Sequence, residues 1–242
     1  MNIPRTIRPV VAPLAFVAIF SNPAFGQTDF RNLAFEAARV QDLPPDSIGE
    51  VVTRSQALPG WLAMVGSNAD PSINHNFMFH GTAGISIFGP QSPMTAPEGD
   101  YFVLLQAGHE PMAPPGVLAD ASISQVGTVP SLAQSIQFLS TPVLFGVEVS
   151  FGGQSLPLSL ISLESGWARW GADVSAFAGQ SAELRFSTLT TPSQPGGWFA
   201  LDDIRFSPLP VPEPSTWGLL VLAIAGLGFY RWRGKRRGSS KP

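Results

Sequence analysis

The sequence predicts an all-β fold, a two-sheet antiparallel jelly-roll sandwich, over residues 27–210 of 242. Three observations predict it. Short apolar or alternating stretches recur between clusters of Gly, Pro, Ser and Asn, the pattern of strands joined by turns. No helical period of useful length occurs in this region, although Asp173–Ala178 suits a single turn. No internal repeat stands out, which excludes a propeller or a solenoid. In chain order the candidate strands are Asn32–Ala37, Ile48–Arg54, Trp61–Val65, Ile85–Phe88, Tyr101–Gln106, Ala121–Gln125, Gln134–Leu139, Leu144–Phe151, Leu158–Leu163, Ala182–Thr188 and Phe199–Phe206. Ala182, Leu184 and Phe186 face one way while Glu183 and Arg185 face the other. Phe145, Val147, Val149 and Phe151 likewise share a face. Pro90, Pro93, Pro97, Pro111, Pro114, Pro115 and Pro130 mark long loops in the middle third, and ten or so strands of this kind close into a sandwich.

The two ends belong to targeting rather than to the fold. Arg5 and Arg8, the apolar Val10 to Phe20 and the small-x-small Ala24-Phe25-Gly26 read as a signal peptide over residues 1–26, handled by the Sec translocon and signal peptidase. At the other end, residues 211–242 divide into three parts. Val211, Pro212, Glu213 and Pro214 open an extended block at 211–216, because each proline removes a donor and restrains its neighbour. Trp217 to Tyr230 carries no charge and predicts one transmembrane helix of roughly 21 Å at about 1.5 Å per residue. Interfacial Trp217, Tyr230 and Trp232, with snorkelling arginines, extend its effective span. Arg231, Arg233, Lys235, Arg236 and Arg237 then form a membrane stop that fixes residues 231–242 in the cytoplasm. This tripartite tail resembles the PEP-CTERM sorting signal of bacterial surface and secreted proteins. The resemblance implies an exosortase as partner, transient inner-membrane anchoring, and a cell-surface or extracellular destination.

Composition narrows the chemistry of the body. The whole chain has a formal charge of −3. With Arg5, Arg8, Glu213 and the six basic residues of the tail set aside, six arginines, no lysine and sixteen carboxylates remain, a net charge of −10. So acidic a surface argues against nucleic acid and anionic lipid, and suits a soluble surface domain or one that uses divalent cations. Cysteine is absent, so there is no disulfide framework, thiol chemistry or cysteine-rich zinc site. His75, His80 and His109 read as loop residues. Neither a His-Glu-x-x-His nor a Gly-x-Ser-x-Gly occurs. Glu98 or Asp100 with a distant acid would make a glycosidase-like pair only in the sense open to every acidic domain. The expectation is a protein without catalytic residues.

A second resemblance spans Asn32 to Phe206. Asn32-Leu33-Ala34-Phe35-Glu36, Pro59-Gly60-Trp61, Glu98-Gly99-Asp100-Tyr101-Phe102, Trp170 to Gln180 and Phe199-Ala200-Leu201-Asp202-Asp203-Ile204 occur in an order similar to that of galactose-binding-like jelly rolls. That family brings its first and last strands together, and similar positions hold a structural Ca²⁺. The resemblance thus implies a calcium site at Glu36 with Asp202 or Asp203, of which alternation along a strand lets only one face the ion. Ordinary strand-end charges are the competing account. Among the tryptophans, Trp61 and Trp170 read as packed, and Trp167 and Trp198, each after glycine, as the exposed pair suited to stacking on a glycan. Two functions therefore stay open. One is a non-enzymatic, exosortase-processed surface or matrix protein with a structural or adhesive sandwich. The other is a carbohydrate-binding module, calcium-stabilised, that serves extracellular polysaccharide.

Overall fold

Two antiparallel sheets face each other across one apolar core in the computed structural model, which describes residues 29–44, 47–111, 113–190 and 196–212. The expected signal peptide, the helix 217–230, the basic stop and most of the extended block lie outside the described residues. No helix among the described residues is long and apolar enough to cross a membrane.

Among the described residues sixteen strands follow in order: β1 Glu50–Val52, β2 Leu62–Val65, β3 Asn68–Ala69, β4 Ile73–His75, β5 Gly84–Phe88, β6 Phe102–Gln106, β7 Gly108–His109, β8 Leu118–Ala119, β9 Ala121–Thr128, β10 Ser135–Ser140, β11 Val147–Phe151, β12 Gln154–Ser155, β13 Ser159–Glu164, β14 Trp167–Asp173, β15 Ser181–Thr188 and β16 Trp198–Ser207. A four-residue helix α1, Arg54–Ala57, and a 3₁₀ turn at Ser175–Phe177 interrupt them. The large sheet runs β1-β4-β5-β6-β16-β10-β14-β13, the smaller one β12-β11-β15-β9-β2-β3, and β7-β8 form a separate ribbon. Among the described residues every strand pairing is antiparallel except β4 with β5, and an isolated parallel bridge joins Thr82 to His109.

Alternation explains the sandwich. Leu184 and Phe186 of β15 are fully buried, while Glu183 and Arg185 of the same strand pair at 2.8 Å on the outside. Trp61, Phe138 and Phe186 sit at the centre of the core. Phe186 meets Phe138 edge-on at 5.3 Å and Trp61 at 6.3 Å, arrangements that suit the ring quadrupoles.

One part of the large sheet is covered on both faces. Phe88, Phe102, Leu104 and Ala200 point away from the main core and form a second apolar cluster, against which Met78, Met94, Ala96 and Trp167 pack. The proline-rich segment after β5 supplies two of those covering residues. Burial on both sides is why β6 reads as an unbroken apolar run rather than an alternating one.

Several expectations change. Asn32–Ala37 is a turn, not a strand. Asn32 and Phe35 have φ of 52° and 60°, and the Asn32 side chain accepts a hydrogen bond from the Ala37 amide at 2.9 Å. The turn nevertheless docks on the last strand, because the Ile204 amide donates to the Leu33 carbonyl at 3.0 Å. Strands β4 and β14 are present where no strand was expected. His75 is not a loop residue: it lies on β4, buried, with Nδ1 3.2 Å from a Glu50 carboxylate oxygen. His109 lies on β7 and is exposed. The 3₁₀ turn falls inside the single turn read at Asp173–Ala178.

Candidate functional site

The Asp202 carboxylate joins strand β16 to the distant segment at Glu98. Strand β16 carries a bulge here: the register against β10 shifts between Gln137 and Leu139, and Asp203 has φ of 42°. Leu201 and Ile204 both enter the core, so two residues rather than one lie between successive core positions. Asp202 and Asp203 take separate partners as a result. Asp203 turns to Arg169, whose Nη1 donates at 2.9 Å, and lies 3.6 Å from Arg205. Arg169 also binds Glu164 at 3.0 Å, so this carboxylate belongs to an ion-pair network. Asp202 is fully buried and receives hydrogen bonds from the Asp203 amide at 2.7 Å and the Glu98 amide at 3.2 Å.

The segment that donates to Asp202 also grips Glu36. The amides of Asp100 and Tyr101 both donate to Glu36 Oε1 at 3.0 Å. Gly99, at φ 59°, passes so close that a Cβ there would overlap the Glu36 carboxylate. Only glycine satisfies both the left-handed backbone and that approach. Glu36 itself is exposed, whereas Asp202 is buried. Burial pushes the Asp202 carboxyl from its ordinary 3.8 up to about 7, and the negative charges of Asp203 and Glu36 push in the same direction, against the two amide hydrogen bonds. Among the described residues no arginine pairs with either Glu36 or Asp202. Residues 98–101 thus donate to both Glu36 and Asp202, while Asp203 is committed to Arg169. Among the described residues no three or more Asp, Glu or His side chains gather as a metal-holding group.

The tryptophans divide differently from the expected pair. Trp198 is 43% exposed at the start of β16. Trp167 is half-buried, edge-on to Phe102 at 5.4 Å, in a shallow cavity of about 270 Å³ with Met94, Thr95 and Thr141. Trp61 and Trp170 are anchored as read, their ring N–H groups donating to the carbonyls of Asn32 at 3.0 Å and Thr141 at 3.1 Å.

A feature that the sequence did not signal is a cleft of about 530 Å³ at the β4–β5 end of the large sheet. Its wall includes Asn74, Phe79, Ser86, Gln106 and Glu110. Asn74 and Ser86 pair across β4 and β5, and Gln106 pairs with Gly84 on one side and Trp198 on the other. The outward polar residue between inward Ile73 and His75 was the available signal, but a three-residue strand is too short to show a period.

Comparison with known proteins adds three kinds of finding. The family model for the PEP-CTERM protein-sorting motif matches residues 210–237. No curated protein matches the chain. Solved structures to which the chain is similar include TmCBM61 in complex with β-1,4-galactotriose, 12% identical, covering 75% of this chain and 98% of that one, with a TM-score of 0.38. The cleaved adhesin domain of Lys-gingipain is 12% identical, covering 66% and 97%, with a TM-score of 0.36. The enzymatically active domain of bacteriophage CBA120 tailspike protein 4 is 13% identical with a TM-score of 0.34. It covers 62% of this chain, which spans only 19% of that structure.

The Asp202 junction predicts an unusual pH dependence. A folded-state pKa above the ordinary 3.8 means that the native protein holds an extra proton between about pH 4 and pH 7, so stability falls as pH rises across that window. In chelator, urea unfolding should lose on the order of a few kcal/mol between pH 5 and pH 8, and Asp202→Asn should flatten that slope. Glu164 and Asp173, whose carboxyls are held below their usual range by hydrogen bonds, act at lower pH and with the opposite sign.

Proposed function

We propose that the chain is an exported, non-enzymatic surface or matrix protein. Its β-sandwich is a structural or adhesive domain, and its tail hands it to an exosortase. The observation that carries this reading is the PEP-CTERM motif at residues 210–237, which implies export and surface display. The motif starts where the fold stops. Strand β16 ends at Ser207, the Leu209 carbonyl accepts from the Ser135 hydroxyl at 2.8 Å, and a Cβ added at Gly171 would lie 3.4 Å from the Val211 side chain. Pro212, Glu213 and Pro214 follow directly in the sequence. In this reading residues 1–26 are removed as a signal peptide, 217–230 tether the chain transiently in the inner membrane, and Arg231 to Arg237 hold the end in the cytoplasm.

Calcium completes the proposal. Glu36 and Asp202 suit a hard divalent cation: two carboxylates held by amide donors repel one another, and Ca²⁺ takes oxygen ligands of this kind. Glu36 and Asp202 would hold the ion with backbone carbonyls and water supplying the rest. The bound charge would keep Asp202 ionised. Asp203, committed to Arg169, lies outside this set.

Two outcomes test the proposal. Replacing Pro212-Glu213-Pro214 with alanines should leave the unprocessed chain in the inner-membrane fraction of the native host, read by immunoblot. Normal release of that variant would contradict the sorting role. Calcium at a hundredfold excess over its Kd should raise the melting temperature of the full-length chain by roughly 5–10 °C. Glu36→Gln and Asp202→Asn should each abolish the rise, and an identical melting curve in chelator and calcium would remove the ion.

A further inference from the structure

We propose that the cleft at the β4–β5 end of the large sheet binds an organic ammonium ion, a cationic head carried on an apolar stem. The inference goes beyond the surface-domain reading and depends neither on tail processing nor on calcium. The volume of about 530 Å³ lies within the range of small-ligand sites, roughly 300–1,000 Å³. Glu110 is the anion of its wall. It is half-buried, and among the described residues its carboxylate has neither a hydrogen bond nor a cationic partner. Its place is nevertheless fixed. The Glu110 amide donates to the Val117 carbonyl at 3.0 Å, and a Cβ added at Gly66 would stand 3.0 Å from Glu110 Oε1. The carboxylate therefore lies between the β7–β8 ribbon and the β2–β3 turn.

Phe79 supplies an aromatic surface in the same cleft. It is 62% exposed, and Phe77 braces it edge-on at 5.2 Å. The turn that carries Phe79 and the ribbon that carries Glu110 form one hydrogen-bonded unit. The Thr82 amide donates to the Phe79 carbonyl at 3.2 Å, the His109 amide to the Gly81 carbonyl at 2.8 Å, and the Ala83 amide to the His109 carbonyl at 2.8 Å. A carboxylate and an aromatic ring held on one support are the two groups that an ammonium ion answers, the first by charge and the second through the ring quadrupole. Val51, Pro71 and Pro111 give the wall an apolar surface for the stem. Asn74 Nδ2 donates to the Ser86 hydroxyl at 3.5 Å, which leaves Asn74 Oδ1 as an acceptor for an N–H.

The cation has to come from outside. Arg54, Arg169, Arg185 and Arg205 pair with other acids, no arginine lines the cleft among the described residues, and the body has no lysine. Anions are repelled by Glu110 and by the acidic body around it. A neutral apolar molecule leaves the Glu110 charge unanswered. A bare divalent ion finds one carboxylate where it takes six to eight oxygens. An ammonium ion on a stem satisfies the acid, the ring and the apolar wall together.

The test uses the full-length chain in a non-ionic detergent and an amine-free buffer at pH 8. The probes are pentylammonium, choline and spermidine, with 1-pentanol and pentanoate as neutral and anionic counterparts, titrated by calorimetry and ligand-observed NMR. At least one ammonium probe should bind, and Glu110→Gln should weaken it roughly tenfold or more, Phe79→Ala about threefold or more. Glu148→Gln, on β11 of the other sheet, should leave that affinity unchanged, which separates a site from the diffuse pull of an acidic body. Circular dichroism should show all three variants folded. A blocked peptide, N-acetyl-Ala-Lys-Ala amide, that binds more tightly than pentylammonium assigns the site to a lysine side chain of a partner, and the reverse order assigns it to a free amine. No binding of any ammonium probe, equal binding of pentanol or pentanoate, or an affinity lost equally in Glu110→Gln and Glu148→Gln overturns the proposal.

Discussion

A buried carboxylate without a cationic partner is the constraint on which this structure turns. Asp202 fastens the segment at Glu98, the same segment fastens Glu36, and the turn that carries Glu36 is hydrogen-bonded back to Ile204. The beginning, middle and end of the domain are thus joined at one point through side-chain and backbone hydrogen bonds. Burying a charge costs far more than burying a hydroxyl unless it is neutralised, and here the choices are a proton or a cation. Either choice makes the domain respond to its surroundings.

The polar side of the large sheet follows a second logic. At its centre, around Phe102 and Leu104, the outer face is apolar and roofed by Met94 and Ala96. Towards Asp202 it is ionic. Towards Asn74 and Gln106 it is polar and open. One sheet face therefore carries a roofed cluster, a charged junction and an open cleft in sequence. The main core contributes only rigidity to these features, which is what a binding surface needs from its scaffold.

Much of the fold was legible because alternation and turn chemistry are local signals. Strands β9, β10 and β15 run close to their expected bounds, and the burial of Leu184 and Phe186 follows the period of two. The failures have physical causes. Asn32–Ala37 has strand-like composition, but the Asn32 side chain captures the Ala37 amide and favours a turn. In β14, Arg169 sits nearly buried on a strand, an exception that only its partners Glu164 and Asp203 make tolerable, and Asp203 is remote in sequence. Trp167 follows a glycine and looked exposed, yet Phe102 from a distant strand covers one edge. Alternation alone would have sent Asp202 and Asp203 to opposite faces. The bulge separates them by partner instead, and no local pattern announces it. The tail was the easiest part to read, because its proline block, apolar run and basic end are adjacent in sequence and need no tertiary contact to be recognised.

Delivery is the claim that most of the functional account rests on, and the carboxyl end of the protein isolated from its native host tests it most directly. Mass spectrometry of that material should find a chain beginning near Gln27 and ending close to Pro214. A mature chain that still ends at Pro242 would show a permanent membrane anchor and contradict processing by an exosortase.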